Sequence, residues 1–164
     1  MSETFNHTSF NFDDEVSRLE ARAEELQEEI AEADDAVAEV KSQQLRTVQC
    51  QRKGAVWARD RAFESDDFSM WDEDVDAVTL GAPRGGAWRD LQDEMEAAID
   101  TGTGTTSTLL IVDGSVDVPY IDGDMSEGEA AHAVRQLHPF FLEWADARVN
   151  DLLDPEAEAG NGNN

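Results

Sequence analysis

The sequence predicts a mainly α-helical fold, in which a long N-terminal heptad helix precedes a small helical domain with at most one short β-hairpin. One observation behind this is an apolar repeat near the N-terminus, at alternating intervals of 3 and 4 residues. Another is a pair of C-terminal helical segments with recognisable start signals at Ser126 and Pro139. A chain of 164 residues accommodates one ordinary domain, or a small domain with an appended arm.

The N-terminal helix is predicted from its apolar seam. The seam consists of Val16, Leu19, Ala23, Leu26, Ile30, Ala33, Val37 and Val40. This spacing keeps the apolar side chains on one stripe of a helix for almost four heptads. Asn11 or Asp13 can cap the first turn. We therefore expect a flexible segment over residues 1–12 and a long helix over residues 13–63, whose second part is basic.

The partner of this seam is left open by the charges beside it. In a parallel homodimer Glu15 would face Glu20, and Glu29 would face Asp34, so that both pairs would repel. Self-association through the seam is one possibility. Antiparallel packing, or docking on another protein, is at least as compatible with the sequence.

A basic segment lies between residues 45 and 63. Its five cations are Arg46, Arg52, Lys53, Arg59 and Arg61. The backbone can continue as a helix through Gly54 or form a short strand, and the helix is favoured. The cations suit nucleic acid or an acidic partner, or ion pairs with the acidic heptad helix itself. Because only Trp57 and Phe63 accompany them as aromatic residues, pairing within the protein or with a protein partner is favoured.

Residues 64–75 are predicted to link this helix to a small, mainly helical domain over residues 76–153. The domain begins with an extended segment at 76–80, followed by a helix at 87–99 with apolar residues on one face. The stretch 109–120 can be a hairpin that turns at Asp113-Gly114, or a helix that ends before Pro119, and periodicity does not decide between them.

The end of the chain carries the clearest local signals. Ser126 and Glu129 have the spacing of a capping box at the start of a helix, and Pro139 suits the first position of the last helix. Residues 154–164 contain no apolar residue larger than Ala, so we expect a disordered tail.

The composition indicates a salt-rich environment. The chain has 38 acidic and 12 basic residues and a formal net charge of -26, and the acidic residues are spread along its length. Repulsion of this size destabilises a compact state at low ionic strength, but the Debye length is only ~3 Å at 1 M salt. We therefore expect a halophilic protein that does not bind membranes, and binding to nucleic acid is disfavoured.

No catalytic, cofactor-binding or metal-binding residue is predicted. Cys50 is the only cysteine, and the acidic residues between Asp122 and Glu129 lack the ligand spacing of an EF-hand loop. The glycines between Gly81 and Gly86 are not followed by the Lys-Ser or Lys-Thr of a phosphate-binding loop. The sequence also lacks a membrane-spanning apolar run and an export signal, so we expect a cytoplasmic protein.

The last predicted helix offers the best candidates for partner binding. These are Phe140, Phe141, Trp144 and Leu152. Because Phe140 and Phe141 are adjacent on a helix, their side chains point about 100° apart and are difficult to bury in one narrow seam. One of the two is therefore a candidate for contact with a partner, unless a wide helix face buries both.

The order of elements over residues 76–153 resembles that of the tail assembly chaperones of long-tailed viruses, here in a form suited to a haloarchaeal host. The resemblance rests on an extended segment, a helix, a Gly/Thr-rich loop, Asp117 and Pro119, and two final helices before an acidic tail. It implies a largely helical, non-enzymatic protein that binds the tape-measure protein, recruits tail-tube protein and is absent from the mature virion. The heptad helix is not part of the resemblance.

A second interpretation belongs to a different functional class. A small halophilic regulator could dimerise through the heptad helix and contact DNA with the basic segment. The arrangement of the five cations discriminates between the two hypotheses. A DNA-binding protein presents them on one exposed face, whereas a chaperone pairs them with carboxylates of its own or of a partner.

Overall fold

The computed structural model describes residues 4–60, 68, 71, 75–83 and 106–153. Within these residues the chain forms five helices and three strands. In chain order they are β1 (Thr4–Asn11), α1 (Phe12–Glu32), α2 (Asp35–Asp60), β2 (Ala77–Pro83), α3 (Thr106–Gly114), β3 (Ser115–Asp117), α4 (Glu127–Arg135) and α5 (Pro139–Leu153). The predicted mainly α fold is confirmed. The helix predicted at 87–99, the tail at 154–164 and Arg61 lie outside the described residues.

The single helix predicted over residues 13–63 is wrong, because α1 and α2 form a helical hairpin. The backbone N–H of Ala33 donates to the carbonyl of Ile30 and ends α1. Asp34 then starts α2, since its Oδ1 accepts a hydrogen bond of 3.0 Å from the backbone N–H of Val37. The predicted continuation of a helix through Gly54 is correct as far as Asp60.

The N-terminal segment predicted to be flexible forms β1 over residues 4–11. This strand pairs antiparallel with β2, for example Phe10 with Val78, and β2 pairs antiparallel with β3. The resulting sheet has the order β1-β2-β3, so its strands come from distant parts of the chain and exceed the single hairpin that was expected. Local sequence signals do not report pairing over such distances.

A bulge in β1 ties the sheet to the last helix. The pairing register shifts between Phe5 and Thr8, and Asn6 adopts a positive φ of 55°. Asparagine tolerates this left-handed conformation better than most residues do. Its side-chain Nδ2 donates a hydrogen bond of 3.1 Å to the carbonyl of Leu152, in the last turn of α5. The bulge therefore places a donor where a helix end needs one.

The ambiguous stretch 109–120 contains both a helix and a strand. The helical interpretation is correct up to Gly114, where α3 ends. Val116 lies in β3, which pairs with β2 and not with the residues before Gly114. Gly114 is required here because a Cβ at this position would approach Cγ2 of Val149 in α5 to 2.6 Å. The turn from α3 into β3 is therefore packed directly against α5.

One hydrophobic core joins the segments that were predicted to be separate domains. Its buried aromatic residues are Phe12, Trp57, Trp71, Tyr120, Phe141 and Trp144. The ring of Phe12 lies 5.8 Å from that of Trp144 and 6.2 Å from that of Phe141. Trp71 belongs to the predicted 64–75 linker, yet it is buried in this core. The base of the helical hairpin is thus part of the same folded unit as α5.

The predicted starts of α4 and α5 are confirmed. The Ser126 hydroxyl accepts from the backbone N–H of Glu129, and the Glu129 carboxylate accepts from the backbone N–H of Ser126. Before Pro139, His138 is the residue that caps α5, because its Nδ1 accepts a hydrogen bond of 3.1 Å from the backbone N–H of Phe140. These local signals could be read from the sequence because they depend on neighbouring residues only.

Candidate functional site

The buried carboxylate of Glu15 holds α5 against the base of the hairpin, which is the end opposite the turn at Ala33 and Asp34. Glu15 is only 6% exposed, and its Oε1 accepts a hydrogen bond of 2.9 Å from Nε1 of Trp144. Arg18 donates to both oxygens of the same carboxylate, and Nε of Arg148 lies 3.7 Å from Oε1. Arg148 is also paired with Asp151 at 2.6 Å. The network fixes the position of α5 against α1, and hence against α2.

The four partner-binding candidates on α5 divide into two groups. Phe141 and Trp144 are both 0% exposed and belong to the core, so the prediction that they contact a partner is wrong. Phe141 packs against Phe12, Trp57 and other rings, which explains its burial. Phe140 and Leu152 are half-buried. Phe140 has Lys53 over its ring at 5.8 Å, so it lies beside α2.

The predicted coiled-coil seam is buried only in its first part. Val16, Leu19 and Leu26 are buried, and Ile30 is half-buried. Val37 and Val40 are 43% and 55% exposed, so they are not part of the same buried seam. The turn at Ala33 and Asp34 is the reason, because it returns the chain and gives α2 a new orientation. The covered part of the seam packs within the chain, in an antiparallel hairpin.

Half of the described cations of the basic segment are used within the protein. Arg52 pairs with Glu20 at 3.4 Å, and Arg59 pairs with Asp13 at 3.2 Å, so both cations join α2 to the acidic α1. Lys53 lies near the ring of Phe140 but is exposed, as is Arg46, and neither makes an ion pair with a described residue. The four described cations are therefore divided, two facing α1 and two on an exposed side of α2.

Two stripes of side chains run along α2. The stripe that faces α1 comprises Ala38, Lys41, Leu45, Val48, Arg52, Ala55 and Arg59. The second, which we call the outer stripe, comprises Val37, Val40, Gln44, Thr47, Gln51, Gly54 and Ala58. Both repeat at intervals of 3 and 4 residues, which a helix places in line. The outer stripe was not recognised in the sequence, because most of its middle positions are polar.

The cover over the outer stripe changes along its length. Gly54 and Ala58 are buried, and a Cβ on Gly54 would overlap the carbonyl oxygen of Phe140. The backbones of α2 and α5 are therefore in direct contact at this point. Farther along, Thr47 and Gln51 line an open groove, and at the tip of the hairpin Val37 and Val40 are exposed.

The open groove lies between α2 and α5 and has a volume of about 410 Å³. Its lining consists of Thr47, Gln51, Pro139, Leu142, Glu143, Asp146 and Ala147. The α5 wall combines the apolar Pro139, Leu142 and Ala147 with the carboxylates of Glu143 and Asp146. Such a groove can accept apolar side chains of a partner helix.

Burial shifts the pKa values of three side chains near the base. It raises the pKa of Tyr120 to about 12, against the effect of the hydrogen bond with Ser115. Burial also lowers the pKa of His138, whose ring contacts Trp57, Phe68 and Phe140. The pKa of Arg148 is lowered mainly by burial, while Asp151 and Glu15 oppose this change. In each case the shift is caused mainly by removal of the side chain from water.

In the part of the chain that the structure describes, no group of three or more His, Cys, Asp or Glu side chains is placed to hold a metal ion. None of the described helices is long and apolar enough to cross a membrane.

Comparison with protein-family models, with curated protein sequences and with solved structures found no match to this chain.

Proposed function

We propose that this chain is a non-enzymatic virus tail assembly chaperone, which binds the tape-measure protein and aids assembly of tail-tube protein in the cytoplasm of a halophilic host. The observation that carries the proposal is the open groove between α2 and α5, to which α5 contributes the apolar residues Pro139, Leu142 and Ala147. A tape-measure protein offers long apolar helices, and helix-in-groove binding needs a few apolar anchors and no reactive side chain.

The position of the groove supports a role in partner binding. It begins where α5 crosses Gly54, so its wall is held by the buried contacts of Phe141 and Trp144. A rigid wall lowers the entropy cost of binding, because less of the protein has to become ordered. Leu142 can therefore contact a partner without loss of the core beneath it.

The ion pairs of the basic segment favour a chaperone over a DNA-binding regulator. Arg52 and Arg59 are paired with carboxylates of α1, as expected if the segment stabilises its own protein. The net charge of -26 opposes approach to the phosphate backbone of DNA. A protein that contacts DNA would use these cations for the phosphates instead.

The test is co-expression with the tape-measure protein, whose gene is expected immediately downstream. We expect the wild-type chain to keep the tape-measure protein soluble, and Leu142→Ser to weaken this effect. Ala131→Ser, at a half-buried position on α4 away from the groove, is the matched control and should behave as the wild type. The proposal fails if the tape-measure protein is equally soluble alone, or if the wild-type chain retards a DNA probe at the salt concentration of the host.

A further inference from the structure

The groove continues beyond α5 toward the tip of the hairpin. From Gly54 to Gln51 and Thr47, and then to Val40 and Val37, the outer stripe keeps the same helical spacing while its cover decreases. From Val37 to Gln51 it spans about 21 Å at 1.5 Å per residue. This length equals about four turns of a docked helix.

The tip is the part of the outer stripe with the most exposed apolar area. Val37 and Val40 are the two large apolar side chains that are exposed among the residues described. Each is already partly covered, so burying the exposed remainder contributes about half of the free energy gained by burying a fully exposed valine side chain. Two adjacent exposed valines in line with a groove are more informative than scattered apolar residues, because a single helix can cover all of them.

The charges beside the outer stripe indicate the chemistry of its occupant. On the α1 side the cations are already neutralised, since Lys41 is 2.8 Å from Glu29 and Arg22 is 3.1 Å from Glu25. Glu39 and Glu143 are exposed and take part in no ion pair within the described part of the chain. Arg46 is an exposed cation, likewise unpaired among the described residues, two turns after Glu39 on the same side of α2, so unpaired carboxylates outnumber unpaired cations by two to one along the open region. The two unpaired carboxylates lie near the two ends of the open region, at the tip and at the groove.

We propose that the outer stripe of α2, from Val37 through the groove at Leu142, is the docking site for an amphipathic helix of a partner protein whose apolar seam is flanked by Lys or Arg residues. This inference rests on the proposed chaperone function and specifies the kind of segment that the chaperone binds. A second copy of this chain is the less suitable occupant, because two chains of charge -26 would bring their acidic hairpins together.

The test uses two fluorescein-labelled peptides of about 16 residues, long enough to cover the open region. Both carry Leu and Ala at the seam positions, and one has Lys and the other Glu at the flanking positions. Fluorescence anisotropy at about 0.5 M and about 2 M KCl measures their affinity for the full chain. We expect the Lys peptide to bind at least ~3-fold tighter at the lower salt concentration, with a smaller difference at the higher one.

Variants of the chain locate the binding site. The double substitution Val37→Ser and Val40→Ser should weaken binding of the Lys peptide about tenfold. Gln44→Leu, between the valines and the groove, should strengthen it about threefold, since it adds an apolar contact. The matched control is Ala21→Ser with Ala31→Ser, at exposed positions on α1, and its affinity should equal that of the wild type. Circular dichroism melting identifies any variant that unfolds.

Three results would overturn the inference. The first is equal binding of the two peptides at both salt concentrations, and the second is unchanged binding by the valine double variant. The third is a wild-type dimer in sedimentation equilibrium that the same double variant dissociates, because the occupant would then be a second copy. If the Lys peptide binds as expected but the tape-measure protein is not kept soluble, the docking site stands and the proposed function fails. If the tape-measure protein is kept soluble but the Lys peptide does not bind as expected, the docking site is rejected and the proposed function stands.

Discussion

Trp144 donates a hydrogen bond of 2.9 Å from its indole Nε1 to Oε1 of Glu15, and both side chains are buried. The bond connects the last helix of the chain to the start of the first helix. Arg18 and Arg148 lie beside the same carboxylate and compensate its charge, Arg18 from the solvent side and Arg148 from a largely buried position. This contact holds α5 against α1, and α5 in turn forms one wall of the groove.

The Glu15–Trp144 pair should be strongly coupled. Glu15→Ala leaves the indole N–H without its acceptor and removes a counter-charge of Arg148, so we expect a loss of about 2 to 3 kcal/mol in the free energy of unfolding. Trp144→Phe removes the donor and also leaves a cavity. The double-mutant cycle, measured by urea denaturation in high salt, should give a coupling energy of about 1 to 2 kcal/mol. Simple additivity of the two substitutions would show that the hydrogen bond contributes nothing.

The close contact of α2 with α5 at Gly54 gives a second prediction. Gly54→Ala should destabilise the protein by about 1 to 3 kcal/mol, because the new Cβ would overlap the carbonyl oxygen of Phe140. The control is Gly128→Ala in α4, where a Cβ would meet no atom within 4 Å. There the higher helix propensity of Ala should stabilise the protein by about 0.5 to 1 kcal/mol. Thermal melting of both variants checks the sign, and two changes of the same sign would contradict the packing described.

His138 predicts a specific response to acid. Its Nδ1 must be unprotonated to accept from Phe140, and burial lowers its pKa below the value of about 6.5 in the unfolded chain. The stability that this capping contributes is thus present above about pH 6.5 and lost as the pH falls through the lower folded-state pKa. Asn caps helices without titrating in this range, so His138→Asn is the control.

The measurement is the difference in melting temperature between wild type and His138→Asn, from about pH 8 to about pH 5. Taking the difference cancels the effect of protonating the many carboxylates, which both proteins share. We expect the wild type to lose stability relative to the variant as the pH falls. A difference that is constant with pH would mean that the His138 proton is not linked to folding.

Local signals in the sequence are sufficient to predict where several helices start. Asn11 caps α1 by accepting from the backbone N–H of Asp14, and the starts of α4 and α5 follow from Ser126 and Pro139. The sequence does not predict the turn at Asp34, because the surrounding Ala, Glu and Asp residues also suit an uninterrupted helix. Only the return of α2 along α1, favoured by buried side chains such as Leu26, makes Asp34 a cap.

The candidate site depends on tertiary structure and was only partly predictable. The adjacency of Phe140 and Phe141 correctly indicates that one is less buried, and the structure makes this Phe140. The groove itself arises from the crossing at Gly54 and from the Glu15 network, and neither can be read from helical periodicity. The exposure of Val37 and Val40 likewise depends on where the hairpin turns.

Salt should control the stability of the whole protein. At low ionic strength the net charge of -26 acts over a small core, whereas about 2 M KCl screens charges that are more than a few ångströms apart. We expect circular dichroism to show a loss of helicity and of cooperative melting when salt is removed. Unchanged melting at low salt would contradict the expectation of a halophilic protein.

The most direct test of the central claim is hydrogen–deuterium exchange of the full chain, alone and in complex with the tape-measure protein. A helix docked on the outer stripe should slow exchange in residues 37–51 of α2 and 139–147 of α5, because it covers them and suppresses local opening. Exchange in α4, over Glu127–Arg135, should not change. Protection confined to α4 or to the β-sheet, or no protection in α2, would contradict the claim that this face binds the partner.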